Sequence, residues 1–478
     1  RAMLLSPRSP GARRAKAAIF GSRRFIMWRR FFALVVFLVC FGCLDARSQE
    51  FRMIRSEEDW AAQGEQSSVP LKNLSLSQGG STRLSIGGDI RERWEGFHNE
   101  LWGEAEEKTT SSFLQRYMLH CDLRLNSRFR FFGQLKSGIE TGRRSGARPI
   151  DEDLFDLHEA WAEWRFLDGG QARSMALRAG RQEMNLGSGR LVSIREGPNV
   201  RLSFDGARLI TSANGWSIEG FAMRPHRTKP GVFDDTPDPR QSVWGAYATH
   251  EAEGRGSDVY YIGLKRRQRE FNAGVGNELR HSFGARLFGA AKAWDYDFEG
   301  VWQAGRFGSG TINAWTLASN TGYRWDCILK PRVGVKADVA SGDGNPTDGT
   351  LGTFNAMFPK GAYFSQADLL GPYNLVDLHP SISVNATERI TLTADVDMFW
   401  RQSTKDGLYD VPGFVIVPGH GSSARHVGYG TNVSVEWEIS RNVTLEGEYQ
   451  RFLPGRFLRE VDLNKTVTYV GLWVSFRF

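Results

Sequence analysis

An alternation of apolar and polar residues with a period of two begins at Thr82 and continues, interrupted only at turns, to Phe478. Successive side chains of a β-strand point to opposite faces, so each such run predicts a strand with one apolar and one polar face. The first run already shows the pattern, with Leu84 and Ile86 on one face and Arg91 on the other. A chain patterned in this way has to cover its apolar faces with a second sheet or with lipid.

Eighteen such runs can be counted, which predicts an all-β chain. The runs lie near residues 83–94, 113–125, 129–141, 154–167, 173–184, 203–213, 215–226, 242–252, 258–269, 279–289, 294–304, 311–325, 330–341, 374–386, 389–401, 425–439, 443–453 and 466–478. Two classes of connection, which differ in length, alternate strictly along the chain. One set is very short, with no member above about five residues, and the other is mostly longer, with the longest at 342–373 and 402–424.

Short turns on one rim, long loops on the other and an even strand count are typical of a transmembrane antiparallel β-barrel of the bacterial outer membrane, with short periplasmic turns and long extracellular loops. A soluble β-sandwich or propeller would also alternate, but it would need no secretion signal. Closure is required in lipid, because each unpaired backbone group there costs several kcal/mol. About eighteen strands enclose an aqueous lumen, so transport is the expected function.

The last strand ends on Phe478, and a closing strand of this kind resembles the C-terminal signal that the barrel-assembly machinery reads. We therefore expect that machinery and outer-membrane lipid as partners.

The N-terminal region predicts secretion. Basic residues and Met27 precede an apolar run at 31–44, and small residues precede a cleavage expected after Ser48. Residues 1–48 are thus interpreted as a start-site extension, with Met27 as the expected start, followed by a cleaved secretory signal. Residues 49–80 are expected to form a periplasmic segment, and residues 81–478 the barrel.

Net charge excludes a nucleic-acid partner. Of the 61 basic and 54 acidic residues, ten basic and one acidic residue lie in 1–48, which leaves 51 and 53 in the remainder. The mature chain is therefore close to neutral, and the overall charge of +7 gives no argument for nucleic-acid binding.

The inward phase of the first three strands is rich in arginine, and an arginine cluster in a low-dielectric wall attracts anions and matches carboxylates bidentately. The candidate pore-lining residues of this phase are Arg91, Arg93, Arg116, Arg124, Arg130 and Lys136. An equally weighted alternative is that these residues pair with lumenal acids such as Asp122, since other strands place an acidic arc inside.

The stretch 180–210 is the least generic part of the chain. It contains Gly180-Arg181-Gln182-Glu183, Gly187-Ser188-Gly189-Arg190 and Ser203-Phe204-Asp205-Gly206, with further motifs at 280–286, 340–343 and 353–364. These motifs resemble those of the alginate export family over about residues 82–478. The resemblance implies an eighteen-stranded porin that passes an acidic polysaccharide through a constriction lined by arginines.

The candidate set therefore also includes Arg181, Arg190, Arg195 and Arg201. The connection 186–202 between strands five and six lies on the long-loop rim, where it could fold inward and narrow the entrance.

The leading hypothesis is a passive channel for an anionic polysaccharide or acidic sugars, and the first alternative is a general or small-anion porin. An outer-membrane enzyme would need a nucleophile set, but the adjacent His281 and Ser282 point to opposite faces of one strand. The long loops are the one feature of the sequence that would favour a surface adhesin. No metal-ligand spacing is found among the nine histidines, and no cofactor is expected.

Overall fold

The structure is a computed structural model that describes residues 51–61, 69–169 and 173–478. The predicted start Met27 and the predicted cleavage after Ser48 lie outside the described residues. Eighteen long strands dominate the described chain. They are β1 Arg83–His98, β2 Thr109–Arg124, β3 Phe129–Thr141, β4 Asp153–Asp168, β5 Arg173–Gln182, β6 Phe204–Ala213, β7 Trp216–Arg227, β8 Gln241–Ala252, β9 Arg255–Phe271, β10 Gly274–Ala291, β11 Trp294–Phe307, β12 Gly310–Arg324, β13 Arg332–Ala340, β14 Leu375–Thr387, β15 Ile390–Arg401, β16 His426–Ser440, β17 Val443–Pro454 and β18 Val467–Arg477.

The remaining elements are short. They are the helical turns Arg55–Glu57, Glu100–Gly103 and Arg456–Glu460 and the strand fragments Leu74–Ser75, Thr236–Pro237, Thr350–Leu351, Leu408–Tyr409 and Val415–Val417. Within the described ranges, no helix has the length and apolar content needed to cross a membrane.

The eighteen strands form one closed barrel. Each pairs antiparallel with the next along the chain, and β18 pairs with β1 from Asp89↔Arg477 to His98↔Thr468. Closure gives every strand two neighbours, so the backbone groups that an open edge would leave unpaired are satisfied. The predicted fold is therefore confirmed, including its strand count.

The two faces of the wall follow the predicted alternation. Large apolar side chains such as Leu317, Val259 and Leu287 are more than half exposed on the outer face. On the inner face Arg116, on β2, is 2% exposed. An apolar outer belt is the expected surface for contact with hydrocarbon, and the polar inner face needs water or charged partners.

The rims differ in detail from the sequence prediction. On the long-loop rim, β9 and β10 continue to a two-residue turn at 272–273, and β11 and β12 to one at 308–309. In β9 the alternation is interrupted by a bulge between Arg266 and Arg269. On the opposite rim the connection 325–331 has seven residues, more than the predicted maximum of about five.

Two loops of the long-loop rim fold into the lumen. Residues 183–203 and 341–374 meet at a parallel bridge between Val192 and Phe358, and the Ser193 amide donates to the Phe358 carbonyl at 2.9 Å. Together with lumenal side chains of the wall they form a buried apolar cluster that includes Phe204 and Tyr373. The inside of the barrel is thus a packed core as well as a passage.

Residues 51–61 pack against the inner surface at the short-turn rim. Arg55 is 2% exposed and donates to the backbone oxygens of Gly88 at 2.8 Å and Phe478 at 2.9 Å. Arg201, from the loop that enters from the other rim, donates to the Met53 carbonyl at 3.0 Å. This segment therefore occupies part of the lumen cross-section.

Candidate functional site

The inward-folded loops leave a cavity of about 440 Å³ in the middle of the barrel. The loop residues at its surface include Glu196 and Lys360, and the wall contributes Arg91, Arg93 and Arg477. Two of the predicted arginines, Arg91 and Arg93, therefore line this cavity. Lys360 is accessible to water but is enclosed by protein inside the lumen, and the resulting loss of solvation, followed by the positive charges of Lys336 and Arg190, lowers its pKa to about 8.

Glu196 is the centre of a buried ion network at this cavity. Its carboxylate lies 2.6 Å from Arg116 and 3.5 Å from Arg91, and it also accepts a hydrogen bond from Arg201. Arg116 in turn binds Asp89 at 3.0 Å. Burial by itself raises the pKa of Glu196, but the charges of Arg116, then Arg201 and Arg91, bring it well below its usual range. The arginines therefore act here as counterions that hold the loop 183–203.

Arg190 ties the same loop to the far wall. Its guanidinium lies 3.0 Å from Glu299 of β11 and 2.9 Å from Asp338 of β13, and it donates to the Tyr363 hydroxyl of the second loop. Tyr363 also donates to Asp338 at 3.1 Å. Arg190, which was predicted from the Gly-rich motif, thus joins both loops to two strands.

The other predicted residues of the wall are also ion-paired. The nearest carboxylate partners are Glu95 for Arg93 at 3.1 Å, Asp59 for Arg124 at 3.0 Å, Asp122 for Arg130 at 2.8 Å, Asp153 for Lys136 at 2.7 Å and Asp205 for Arg181 at 3.0 Å. Among the described residues, nine of the ten candidate basic side chains therefore have a carboxylate within 4.0 Å, the exception being Arg195. Ion pairing with lumenal acids was one of the two roles that the sequence left open for these residues. That these residues bind a passing anion stays a prediction.

Arg195 lies in a different environment, in a cavity of about 320 Å³ at the long-loop rim. Four further arginines face this cavity: Arg240, Arg266, Arg267 and Arg269. We call these five residues the arginine vestibule. Among the residues described, no carboxylate lies within 4.0 Å of any of the five guanidinium groups, and Asp238 is the one acid in the lining.

Backbone oxygens and aromatic rings hold the buried members of the vestibule. Arg266 donates to the Met357 carbonyl at 2.9 Å and lies 4.8 Å from the ring centroid of Phe358. Arg269 donates to the Pro412 carbonyl at 3.2 Å. Such contacts orient a guanidinium without neutralising its charge, so the remaining N–H donors can receive an anion.

The acid in the lining does not neutralise the vestibule either. The carboxylate of Asp238 accepts from the Arg240 backbone amide at 2.9 Å and from the Gln241 side chain at 2.7 Å. Arg195 has Asp368 and Asp410 only at longer range, and burial lowers its pKa more strongly than these acids raise it. The vestibule is therefore a concentrated positive site.

Sequence reasoning missed four of the five vestibule residues. Arg266, Arg267 and Arg269 come from the run Lys265–Glu270, which breaks the alternation and therefore looks like a solvated strand end. The tertiary fold makes it a site because the loops around Phe358 and Pro412 close over it. The one available signal was the density of arginine in this run.

Two trios of side chains have the spacing for a cation. Asp377, His379 and Asp397 form one, and Asp153, Asp156 and Asp235 form the other. No metal-ligand spacing along the chain indicates either trio, because the first combines residues of β14 and β15 and the second combines residues of β4 with Asp235 of the connection between β7 and β8.

The sequence profile of the alginate export family matches residues 82–471, which is nearly the whole barrel. No curated protein sequence matches the chain.

Solved structures show the same fold. OccK8 (OprE) of Pseudomonas aeruginosa superposes with a TM-score of 0.55 at 10% identity, over 83% of this chain and 98% of that one. A BenF-like porin from Pseudomonas fluorescens Pf-5 gives 0.55 at 9% identity, over 83% and 98%. OpdK of Pseudomonas aeruginosa, solved with vanillate, gives 0.54 at 10% identity, over 82% and 98%. At these identities the likeness concerns the fold.

Proposed function

The chain belongs to the alginate export family, and from that membership we propose that it passes acidic saccharides whose carboxylates are first received by the arginine vestibule. The protein is an integral outer-membrane β-barrel channel in contact with lipid. Its long loops face the outside of the cell, so the vestibule is at the extracellular mouth. The passenger and the residues that select it are the proposed part.

The observation that carries the proposal is the five-arginine cavity without paired carboxylates in the described structure. Guanidinium groups bind carboxylates bidentately, and hydrogen bonds to charged groups contribute about 1.5–3 kcal/mol each. The predicted arginines of the constriction have already formed such bonds within the protein. The vestibule therefore supports anion selection better than the constriction does.

A second candidate is passage of small anions only. The cavity between the loops has a volume of about 440 Å³, and the loops on either side of it are bonded to the wall. A volume of this order holds one small ligand more readily than a polymer segment. Export of a polysaccharide would require the loops to move, whereas a small carboxylate would not.

The proposal also includes the remaining sequence predictions. Residues 1–48 carry a start-site extension and a signal cleaved after Ser48, and the barrel-assembly machinery reads the strand that ends at Phe478. Residues 49–80 form a periplasmic segment, of which residues 51–61 enter the lumen at the short-turn rim. The protein has no enzymatic activity. The lumenal position of Ser282 and the outward position of its neighbour His281 support this last point, since the two cannot act together.

Planar-bilayer recording tests the proposal with the variant Arg266→Gln/Arg269→Gln. The wild type should prefer Cl⁻ over K⁺ and should be blocked by a uronate oligomer added on the extracellular side. The double variant should bind the blocker at least about tenfold more weakly, because two charge-assisted contacts are lost. Arg306→Gln is the matched control, because Arg306 is exposed on β11 outside the vestibule.

Equal permeability to both ions and no block in the wild type would refute the proposal. A series of uronates from one to six sugars separates the two candidates. If only the monosaccharide crosses, the protein is a small-anion porin.

A further inference from the structure

The inner wall formed by β14 and β15 contains a cluster of carboxylates around one histidine. Asp377 and His379 of β14 lie beside Asp395 and Asp397 of β15. The outer-face residue Leu378, between the first two, is 38% exposed, which puts Asp377 and His379 on the lumenal side. The register pairs Leu378 with Met398, so the two strands bring the polar groups side by side.

His379 is held between two carboxylates. Its Nε2 lies 3.1 Å from Asp395, and its Nδ1 is in contact with Asp397. One ligand atom each from Asp377, His379 and Asp397 lies within 4.8 Å of the others. The cluster is therefore compact enough for its three ligand atoms to share one ion.

Asp377 is the carboxylate of this cluster whose charge has no hydrogen-bonding partner among the described residues. It is 2% exposed, and neither of its carboxylate oxygens has a hydrogen-bond partner within the described part of the chain. The nearest lysine, Lys336 on β13, donates to the Tyr363 carbonyl at 3.2 Å and lies 3.9 Å from Asp338. A buried, unpaired carboxylate is costly, and a bound cation would remove that cost.

The second acidic trio shows how an ion pair can compensate the charge of such a cluster. Asp153 and Asp235 hold the ammonium group of Lys136 at 2.7 and 2.9 Å, and His226 lies 2.6 Å from Asp235. A lysine already occupies the position that a metal would take. The trio around Asp377 has the carboxylates without the lysine contact.

We propose that Asp377, His379 and Asp397 bind one divalent first-row transition-metal ion, of which Zn²⁺ is the favoured example, on the lumenal wall of the channel. Two carboxylate oxygens and one imidazole nitrogen suit such an ion, because imidazole favours transition metals over Mg²⁺ and Ca²⁺. Asp395 would retain the other ring nitrogen and fix its orientation, as carboxylates do beside metal-bound histidines. The lumen supplies water for the open coordination positions.

Binding would also change the channel. The ion adds two positive charges to the acidic arc of the wall, so it should raise the preference for anions. The site itself depends only on the cluster, and it stands or falls independently of the proposed saccharide passenger.

Isothermal titration of the purified full-length barrel with Zn²⁺, after treatment with a chelator, tests the site. The wild type should bind one equivalent, and Asp377→Asn should weaken binding at least about tenfold because a charged ligand is lost. Asp235→Asn is the matched control, since it makes the same change in the lysine-filled trio and should leave Zn²⁺ binding unaltered. Heat-modifiable migration on gels reports whether each variant retains the folded barrel.

A second measurement keeps the test decisive if Asp377→Asn does not fold. Co²⁺ bound to the wild type should give visible absorption bands that His379→Gln removes. Absence of stoichiometric Zn²⁺ binding to the wild type would overturn the proposal, as would unchanged binding in the folded variants. Displacement of Zn²⁺ by an equal concentration of Mg²⁺ would also overturn it, because the histidine would then not be a ligand.

Discussion

Replacement of Arg190 by Gln should release part of the inward-folded loop from the barrel wall. The side chains of Glu299 and Asp338 that bind Arg190 are 4% and 6% exposed. Removal of one partner from a buried ion pair costs about 3–5 kcal/mol, because the remaining charge stays buried without compensation. Gln is preferred to Glu, which would add a third carboxylate to the same place.

The size of this free-energy loss determines how far the loop should move away from the wall. A loss of about 3 kcal/mol raises the ratio of undocked to docked loop roughly 150-fold. The barrel should remain folded, since its strand ladder does not depend on this contact. Glu196 still anchors the other end of the loop through Arg116 and Arg91, so the tip around residues 186–192 should move most.

Single-channel recording is the appropriate assay. The Arg190→Gln channel should show bursts of higher conductance, and limited proteolysis from the extracellular side should cut residues 186–192 faster than in the wild type. Arg332→Gln is the matched control, because its partner Asp295 is 38% exposed and such a pair contributes about 0–1 kcal/mol. Wild-type current noise and wild-type proteolysis in Arg190→Gln would refute the structural role assigned to this residue.

Three further outcomes are expected. Because the pKa of Lys360 is about 8, its positive charge is present at pH 6.5 and lost as the pH rises above 8, so the Cl⁻ preference measured from reversal potentials should fall between pH 6.5 and 9.5. Lys360→Met should make that fall smaller, and an unchanged fall would refute the assignment to Lys360. Phe204→Ala should lower the free energy of unfolding by about 3–5 kcal/mol, because Phe204 is fully buried in the lumenal cluster, whereas Leu317→Ala on the lipid face should have a much smaller effect in the same urea titration. Arg55→Gln should speed cleavage after Glu57 and Glu58 by a glutamate-specific protease added on the periplasmic side, and it should increase conductance; an unchanged rate and current would show that Arg55 does not hold the segment in the lumen.

Sequence alone was sufficient for the wall of this protein. The alternation that starts at Thr82 is a local property of each strand. Because lipid surrounds the barrel and water fills it, apolar residues such as Leu317 face outward and charged residues such as Arg116 face inward. Closure follows because an open edge is too costly in hydrocarbon. Strand number, inward arginines and the family therefore follow from the order of residues along the chain.

Tertiary structure decided what lies inside the wall. The pairing of Arg190 with Glu299 and Asp338 joins residues more than one hundred positions apart, and no local pattern encodes it. The same holds for the vestibule around Arg266 and for the cluster around Asp377, where loops and neighbouring strands determine which charges are neutralised. Alternation specifies the face that a side chain occupies, but its charge becomes a site or a structural contact only through partners that the folded loops bring to it.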